Sequence, residues 1–431
     1  MPSLLIKNAR LLDPSQRLDR TGDLLVRDGR IAGYETPPDE CDRVIDARDK
    51  IVAPGLIDMH VHLREPGQEE DETILTGTAA ALAGGFTSIA CVADTDPPID
   101  TEADVQFVQH QARRANNCNV YVIACVSKQR QGQELAEMGQ LSAVGVVGFS
   151  DDDAPIENPE LLRRAFEYAL MFDKPILNHA EVRELAHGGV MHEGLVSLVL
   201  GLPGMPSSAE NVMVSRDIAL AESTGGRLHL MHISTRGSVD LTRHAKQRGV
   251  RVTAEVCPQN FALTDESLYS FDANFKTNPP LRHQKHVDAC IEGLVDGTID
   301  VIASDHSPLA SEKKIRELDM APFGIAGLET TLGLVITKLI EPGHLTWSQA
   351  IEKMTINPAK ILGLAGKGTL AIGADADITI IDPSVEWTVD PKTWQSKSAN
   401  TPFAGWKLRG RAAATIVGGV VKWTLDEDGV G

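Results

Sequence analysis

The stretch Pro54-Gly55-Leu56-Ile57-Asp58-Met59-His60-Val61-His62-Leu63-Arg64 decides how this chain is read. It is an apolar run ending in two imidazoles spaced by the period of a β-strand, so both rings leave one face and can meet one metal ion. Taken alone, the spacing also fits a strand carrying two half-buried polar residues. The distinction turns on whether other strands end in further ligands.

Working outward, short apolar, β-branched runs recur at 56–62, 87–92, 120–126, 143–150, 175–179, 227–234, 251–257 and 300–305. They are continuous instead of alternating, as parallel strands buried on both faces require. Helical patterns lie between them. The segment 160–172 sets Leu162, Phe166, Ala169 and Leu170 on one stripe, and 208–223 runs into Gly225-Gly226, a helix stop. Eight such units predict an α/β fold, a (β/α)8 TIM-like barrel over 52–364. The flanks have hairpin character instead: 3–12 and 22–31, punctuated by Asp13-Pro14 and Asp28-Gly29, and later 373–383 and 412–423. Neither 1–51 nor 365–431 is long enough for a core of its own. The two ends are therefore expected to pair into one small composite β domain, with two separate β extensions as the alternative.

Composition agrees with a large enzyme-sized domain. The 431 residues are 42% hydrophobic, 23% charged and only 4% aromatic, so the core is built from Ala, Val, Ile and Leu. Sixty acidic against 41 basic side chains give a net charge of −19, which repels nucleic acid and anionic membranes. The start, Met1-Pro2-Ser3-Leu4-Leu5, has no signal-peptide run, and no apolar stretch reaches the length of a membrane span, so a cytoplasmic protein is expected. The six cysteines are scattered, and Cys91 and Cys125 sit inside apolar runs, which reads as reduced core thiols.

Barrel enzymes build their sites at the C-terminal ends of the strands, and five of these ends carry metal-compatible groups. The first has His60 and His62, the fourth Ser150-Asp151-Asp152-Asp153, the fifth Asn178-His179, the sixth Met231-His232 and the eighth Ser304-Asp305-His306. Histidine and carboxylate without thiolate suit zinc, with manganese or cobalt as alternatives. Six ligands exceed the needs of one tetrahedral ion. Two Zn2+ ions use them better: His60, His62 and Asp305 on one, His179 and His232 on the other, and Asp152 between. His306 and His229 fall off the strand period and read as packing or structural residues.

The motifs DMHVHLREPG, FSDDDAP, ILNHAE, LMHIST, KTNPPLR, ASDHSP and APFGIAGLET resemble the dihydroorotases of the longer bacterial type, within the amidohydrolase superfamily. Thr355-Ile356-Asn357-Pro358-Ala359 and GADADITIIDP resemble that superfamily's return to a composite β domain. The resemblance implies reversible cyclisation of N-carbamoyl-L-aspartate to L-dihydroorotate in pyrimidine (UMP) biosynthesis, by attack of metal-activated water on a cyclic amide in the hydrolytic direction. Asp305 would take the proton and return it to the departing nitrogen; a ligand-only role is its plainer reading. His62 and Arg64 are expected to bind substrate, Arg64 through a bidentate fork. The resemblance adds Asn278 and the Phe323-Gly324 backbone, although Asn278-Pro279 also reads as a plain turn.

Two positions depart from the family pattern. Asp94 stands where an Asn usually helps hold the substrate carboxylate; it would repel that group, pair with Arg64 or be protonated. Leu309 stands where a substrate-binding His is usual. Two other readings compete with the dihydroorotase one. A hydantoinase, dihydropyrimidinase or allantoinase would usually bridge its metals with a carboxylated lysine, and the fourth strand ends in aspartates with no lysine nearby. A weakly active homologue serving as an aspartate transcarbamoylase scaffold would typically have lost metal histidines, and all four are present. A small-molecule substrate is expected, with a homo-oligomer or a transcarbamoylase partner as the assemblies the resemblance allows.

Overall fold

Residues 3–35 and 41–425 are described by the computed structural model, so the outermost ends of both flanks and 36–40 lie outside the described residues. The N-terminal part forms β1 (Ser3–Asp13), β2 (Leu18–Arg27), β3 (Arg30–Gly33), β4 (Arg43–Asp46) and β5 (Ile51–Pro54). Asp28 and Gly29 both take positive φ, at 51° and 71°, and turn β2 into β3 as a tight hairpin. Immediately after β5 the chain enters the barrel.

All eight expected barrel strands are present: β6 (Leu56–Val61), β7 (Phe86–Cys91), β8 (Asn119–Ala124), β9 (Gly148–Phe149) and β10 (Ile176–Asn178), then β13 (Leu228–Leu230), β14 (Val252–Val256) and β15 (Val301–Ile302). Between β10 and β13 a small parallel pair, β11 (Met191–His192) and β12 (Gly204–Met205), decorates the rim; the sequence reading had no place for it. The barrel strands pair in parallel in sequence order. The His62 amide donates to the His306 carbonyl at 2.9 Å, and a Val61–His306 bridge joins the first strand to the last. That closure removes the sheet edges.

Two apolar layers hold the barrel. Met59, Ala90, Ile123, Leu177, Met231, Val301 and Ala303 fill the lumen, closed below by Ile361 and Leu362. Outside, Ile89, Phe149, Phe166, Ile218, Val239 and Leu294 pack strands against helices. The helix expected at 160–172 is Pro159–Ala169, followed by a 3-10 turn, Leu170–Phe172. Its buried stripe is Leu162, Ala165, Phe166 and Ala169. Leu170, expected on that stripe, is 36% exposed, because at 3.6 residues per turn it falls at the edge of the face that Leu162, Ala165, Phe166 and Ala169 bury. The helix expected at 208–223 runs Ser207–Thr224 and ends at Gly225 in the left-handed conformation.

Past the barrel the chain returns to the first sheet as β16 (Ile378–Thr388), β17 (Lys407–Val417) and β18 (Val420–Thr424). β16 pairs antiparallel with β5, from Ile378 opposite Pro54 to Ile381 opposite Ile51. The ends therefore form one sheet and not two extensions. Its core is Leu4, Ile6, Leu11, Leu24, Val26, Ile378, Ile380 and Ile416. Asp13 stitches the halves together, accepting from the Leu370 amide at 2.7 Å and the Thr369 hydroxyl at 3.0 Å. Among the described residues no helix is long and apolar enough to cross a membrane, and no disulfide links the cysteines, of which Cys91, Cys118, Cys125, Cys257 and Cys290 are buried.

Candidate metal centre and substrate cleft

A cleft of about 140 Å³ opens at the C-terminal end of the barrel strands, lined by His60, His62, Arg64, Asp94, Asp152, Asp153, His179, His232, Thr277, Asn278, Asp305, Ser307, Phe323 and Gly324. A larger surface concavity of about 640 Å³ near Gln109, Arg113, Tyr121 and Lys422 contains none of the expected ligands. The smaller cleft is the chemically equipped one.

Each ligand candidate sits where a strand gives way to a loop. Asp152, His232 and Asp305 have φ values of 51°, 30° and 49°, and Arg64 has 59°. A non-glycine residue in this left-handed region costs roughly 1–3 kcal/mol, and such residues cluster at working sites. Serines support two of these turns: Ser150 Oγ accepts from the Asp152 amide at 2.9 Å, and Ser304 Oγ from the His306 amide at 3.1 Å.

His60 Nε2 lies 3.3 Å from Asp152 Oδ1 and 3.6 Å from Asp305 Oδ1, and His62 Nε2 lies 3.3 Å from Asp305 Oδ1. His60, His62 and Asp305 thus form a compact ligand group, and His62, Asp94 and Asp152 a second. His179 Nδ1 and His232 Nε2 stand 3.0 Å apart. The His232 ring centre is 5.2 Å from that of His60, so the two histidine pairs adjoin. Asp152 turns toward His60 and His62, with Oδ2 3.7 Å from His62 Nδ1.

The imidazoles are held from behind. Glu255, the penultimate residue of β14, is fully buried; its Oε1 is 2.7 Å from His60 Nδ1 and its Oε2 3.2 Å from His229 Nε2. These histidines, His60 foremost, hold the Glu255 carboxyl far below its usual range despite its burial. As an ionised carboxylate it can only accept, so His60 carries its proton on Nδ1 and presents Nε2 to the cleft. Asp94 does the same for His62, with Oδ2 2.7 Å from Nδ1. Burial works against a charged His62, but Asp94 and Asp152 outweigh it and lift its pKa to about 9. Burial and neighbouring His179 push His232 down to about 4. The sequence reading missed Glu255. Its signal was a carboxylate inside the apolar run Val252–Val256, which no parallel strand tolerates without a partner.

The residues present fit a cationic group. His60 Nε2 and Asp152 Oδ2 are buried without a hydrogen-bond partner, and buried polar atoms left open require an explanation. They face a space surrounded by the carboxylates of Asp94, Asp152 and Asp305. Imidazole nitrogens and carboxylate oxygens without thiolate are the donors that zinc and similar divalent ions take.

The substrate side differs from the expected geometry. Arg64 lies beyond the end of β6, so strand period does not aim it. Its Nη1 donates to Asp94 Oδ2 at 2.5 Å and its Nε to the Pro308 carbonyl at 3.3 Å, which leaves Nη2 as the end free for a ligand. Burial would raise the Asp94 carboxyl, but His62 first and then Arg64 hold it down to about 2. Asn278 reaches toward the histidine side, its Nδ2 3.5 Å from His179 Nε2, while its Oδ1 has no hydrogen-bond partner among the described residues. Phe323 packs under the Lys276 ammonium, 4.7 Å from its ring centre. Leu309 is buried and does not line the cleft. His306 lies behind the wall, accepting from the Gly327 amide at 3.1 Å with Nε2 3.4 Å from Glu72. Asp151 is taken up by the loop after β8, accepting from the amides of Val126 and Ser127, and Asp153 pairs with Arg130.

An eight-stranded parallel barrel carrying histidines and aspartates at its strand ends, with a sheet built from both chain ends, defines a class of hydrolases. The chain belongs to the amidohydrolase family, whose model matches residues 51–422. Within it, the chain is 53% identical to the dihydroorotase of Pelotomaculum thermopropionicum, across 97% of this chain and 98% of the relative. It is 49% identical to the dihydroorotase of Endomicrobium trichonymphae, across 98% and 100%. Among solved structures it resembles the L-hydantoinase of Arthrobacter aurescens, with a TM-score of 0.89, 27% identity and coverage of 100% of this chain and 98% of the other. The dihydropyrimidinase of Brevibacillus agri, at 23% identity, a TM-score of 0.82 and coverage of 99% and 97%, shares the fold.

Proposed function

We propose that this chain is a dihydroorotase, interconverting N-carbamoyl-L-aspartate and L-dihydroorotate in pyrimidine biosynthesis, with two Zn2+ ions in the cleft. The observation that carries the metal-dependent reading is the pair of open, buried donors His60 Nε2 and Asp152 Oδ2, on side chains that approach to 3.3 Å through Asp152 Oδ1, in a cleft lined by further histidines and carboxylates. Near-complete coverage by dihydroorotases at about half identity favours that substrate over a hydantoin, whose enzymes are likened to this chain at 27%. No lysine is among the described residues lining the cleft, which also speaks against a carboxylated-lysine bridge.

His60, His62 and Asp305 would hold one ion and His179 and His232 the other, with Asp152 shared. A metal pair supplies Lewis acidity toward a water and toward the amide carbonyl. Arg64, through Nη2, binds the substrate carboxylate at the outer end of the cleft. Asn278 and the Phe323-Gly324 backbone hold the ring, so that the amide carbonyl faces the histidines. Asp305 accepts the water's proton as the oxygen bonds to the carbonyl carbon, then gives it to the ring nitrogen as the carbon–nitrogen bond breaks. The reverse order closes the ring. His60 and His62 keep their Nε2 atoms aimed throughout because Glu255 and Asp94 fix their Nδ1 protons.

The test is an assay of purified, zinc-loaded protein in both directions. Turnover of dihydroorotate and carbamoyl aspartate, lost on chelation and regained with zinc, is the expected result. Opening of hydantoin or dihydrouracil without action on dihydroorotate would replace this reading with the cyclic-ureide one, and zinc-replete protein inactive on all of them would favour the scaffold reading. A cytoplasmic location, acting on a small soluble acid, is part of the same reading. Sedimentation with and without aspartate transcarbamoylase reads whether it assembles with itself or with that partner.

A further inference from the structure

The segment between the 3-10 turn Pro391–Thr393 and β17 leaves the composite sheet and runs against the loops that follow β6 and β15. It is tied down along its length. Glu329 Oε1 accepts from the Gln395 amide at 2.8 Å and the Ser396 amide at 3.1 Å. Glu72 Oε1 accepts from the Lys397 amide at 3.2 Å, and the Ser398 hydroxyl donates to the Asp71 carbonyl at 2.6 Å. The anchored strap ends at Asn400, which is buried.

Asn400 spends its whole side-chain amide on the loop that follows β15. Its Nδ2 donates to the Ser307 carbonyl at 3.0 Å and the Gly324 carbonyl at 3.1 Å. Its Oδ1 accepts from the Leu309 amide at 3.0 Å, and its own carbonyl accepts from the Ala326 amide at 2.9 Å. Ser307 and Gly324 line the cleft, and they lie 17 residues apart on the two limbs of one loop (324 minus 307). One side chain therefore fixes the spacing between two walls of the substrate cleft. Gly324 has a φ of 138°, and an added Cβ would come within 2.9 Å of the Ser307 carbonyl oxygen, so the limbs are already at close approach. No shorter or apolar side chain could supply two donors and an acceptor at once.

We propose that Asn400 is a positioning residue for the reaction, setting the geometry of the Ser307 and Gly324 walls from a segment outside the barrel. It does not touch the metal ligands. It acts by holding the loop that contacts the substrate, and in that respect rests on the dihydroorotase reading of the cleft. Two buried carbonyls and one amide lose their partners in Asn400→Ala, which loosens the loop without removing a reacting group.

The test compares wild type, Asn400→Ala and Asn400→Asp as full-length, zinc-loaded proteins, by steady-state kinetics on dihydroorotate, thermal melting, and hydrogen exchange of the peptide covering Leu309. In Asn400→Ala, KM is expected to rise about tenfold with kcat within about threefold, and the Leu309 amide to exchange at least about tenfold faster. Asn400→Asp keeps the acceptor for Leu309 but turns a carboxylate on two carbonyls, so KM rises while Leu309 stays protected. This variant also supplies the kinetic test where Asn400→Ala does not fold. A wild-type KM in either folded variant overturns the proposal, as does a loss of kcat in proportion to the unfolded fraction. If wild type opens another cyclic ureide instead, the substrate reading fails while KM for that ureide and the exchange data still decide the role of Asn400.

Discussion

Asp94 Oδ2 joins Arg64 and His62: it accepts from Arg64 Nη1 at 2.5 Å and lies 2.7 Å from His62 Nδ1. One buried carboxylate oxygen thus couples the side of the cleft expected to bind a carboxylate to the histidine cluster proposed to hold metal. An arginine already committed to Asp94 offers a substrate less than its full fork.

Asp94→Asn should release Arg64 while its amide oxygen still accepts from His62. KM for dihydroorotate, with zinc in excess, is then expected to fall about fivefold, while zinc affinity drops about 10–100-fold as the carboxylate behind His62 is lost. Steady-state kinetics beside metal analysis read both. An unchanged KM would mean that Arg64 meets the substrate without leaving Asp94.

Glu255→Gln replaces the carboxylate that orients His60 and braces His229. Zinc affinity should drop about 10–100-fold, measured by competition with a chromophoric chelator. Affinity equal to wild type would assign Glu255 to packing alone.

For Asp305→Asn we expect kcat to fall by about 10²–10⁴, with a smaller change in KM. Metal analysis of the same sample separates the two roles of this residue. Activity lost in step with zinc would make Asp305 a ligand only, whereas a zinc-replete, inactive variant supports proton transfer.

Acid should destabilise the fold through His192 and His286, which flank Arg282 away from the histidine cluster. Burial first, then the Arg282 guanidinium, depress His192 to about 3 and His286 to about 4 from the usual 6.5. Between pH 6.5 and about 4 the unfolded chain binds protons at these rings that the folded chain does not. Stability is therefore full above 6.5 and declines as pH falls toward 4. Urea midpoints across that range should slope less in His286→Asn than in wild type; equal slopes would remove His286 from the account.

The barrel was legible because burial on both faces writes eight parallel strands as continuous apolar runs, and the closed sheet has those strands in order. Strand lengths were less so. The expected strand 143–150 is reduced to Gly148–Phe149: Ala143 is the last residue of the helix Met138–Ala143, and Val144 and Gly145 form the turn that closes it, with the Gly145 amide donating to the Ser142 carbonyl at 3.1 Å. Arg64 shows the limit of periodicity: at φ 59° it has left the strand, and its direction is set by Asp94 and Pro308.

By itself the sequence determined which residue types end the strands, and so the kind of chemistry the barrel mouth can perform. Strand period and apolar burial are local properties, carried by neighbours along the chain. Only the tertiary structure decided that Glu255 stands behind His60, that Arg64 is paired, and that Asn400 reaches the loop of Ser307 and Gly324 from beyond the barrel. Those contacts join residues 30 to 195 positions apart, set by how the closed barrel and the returning strap bring loops together in space.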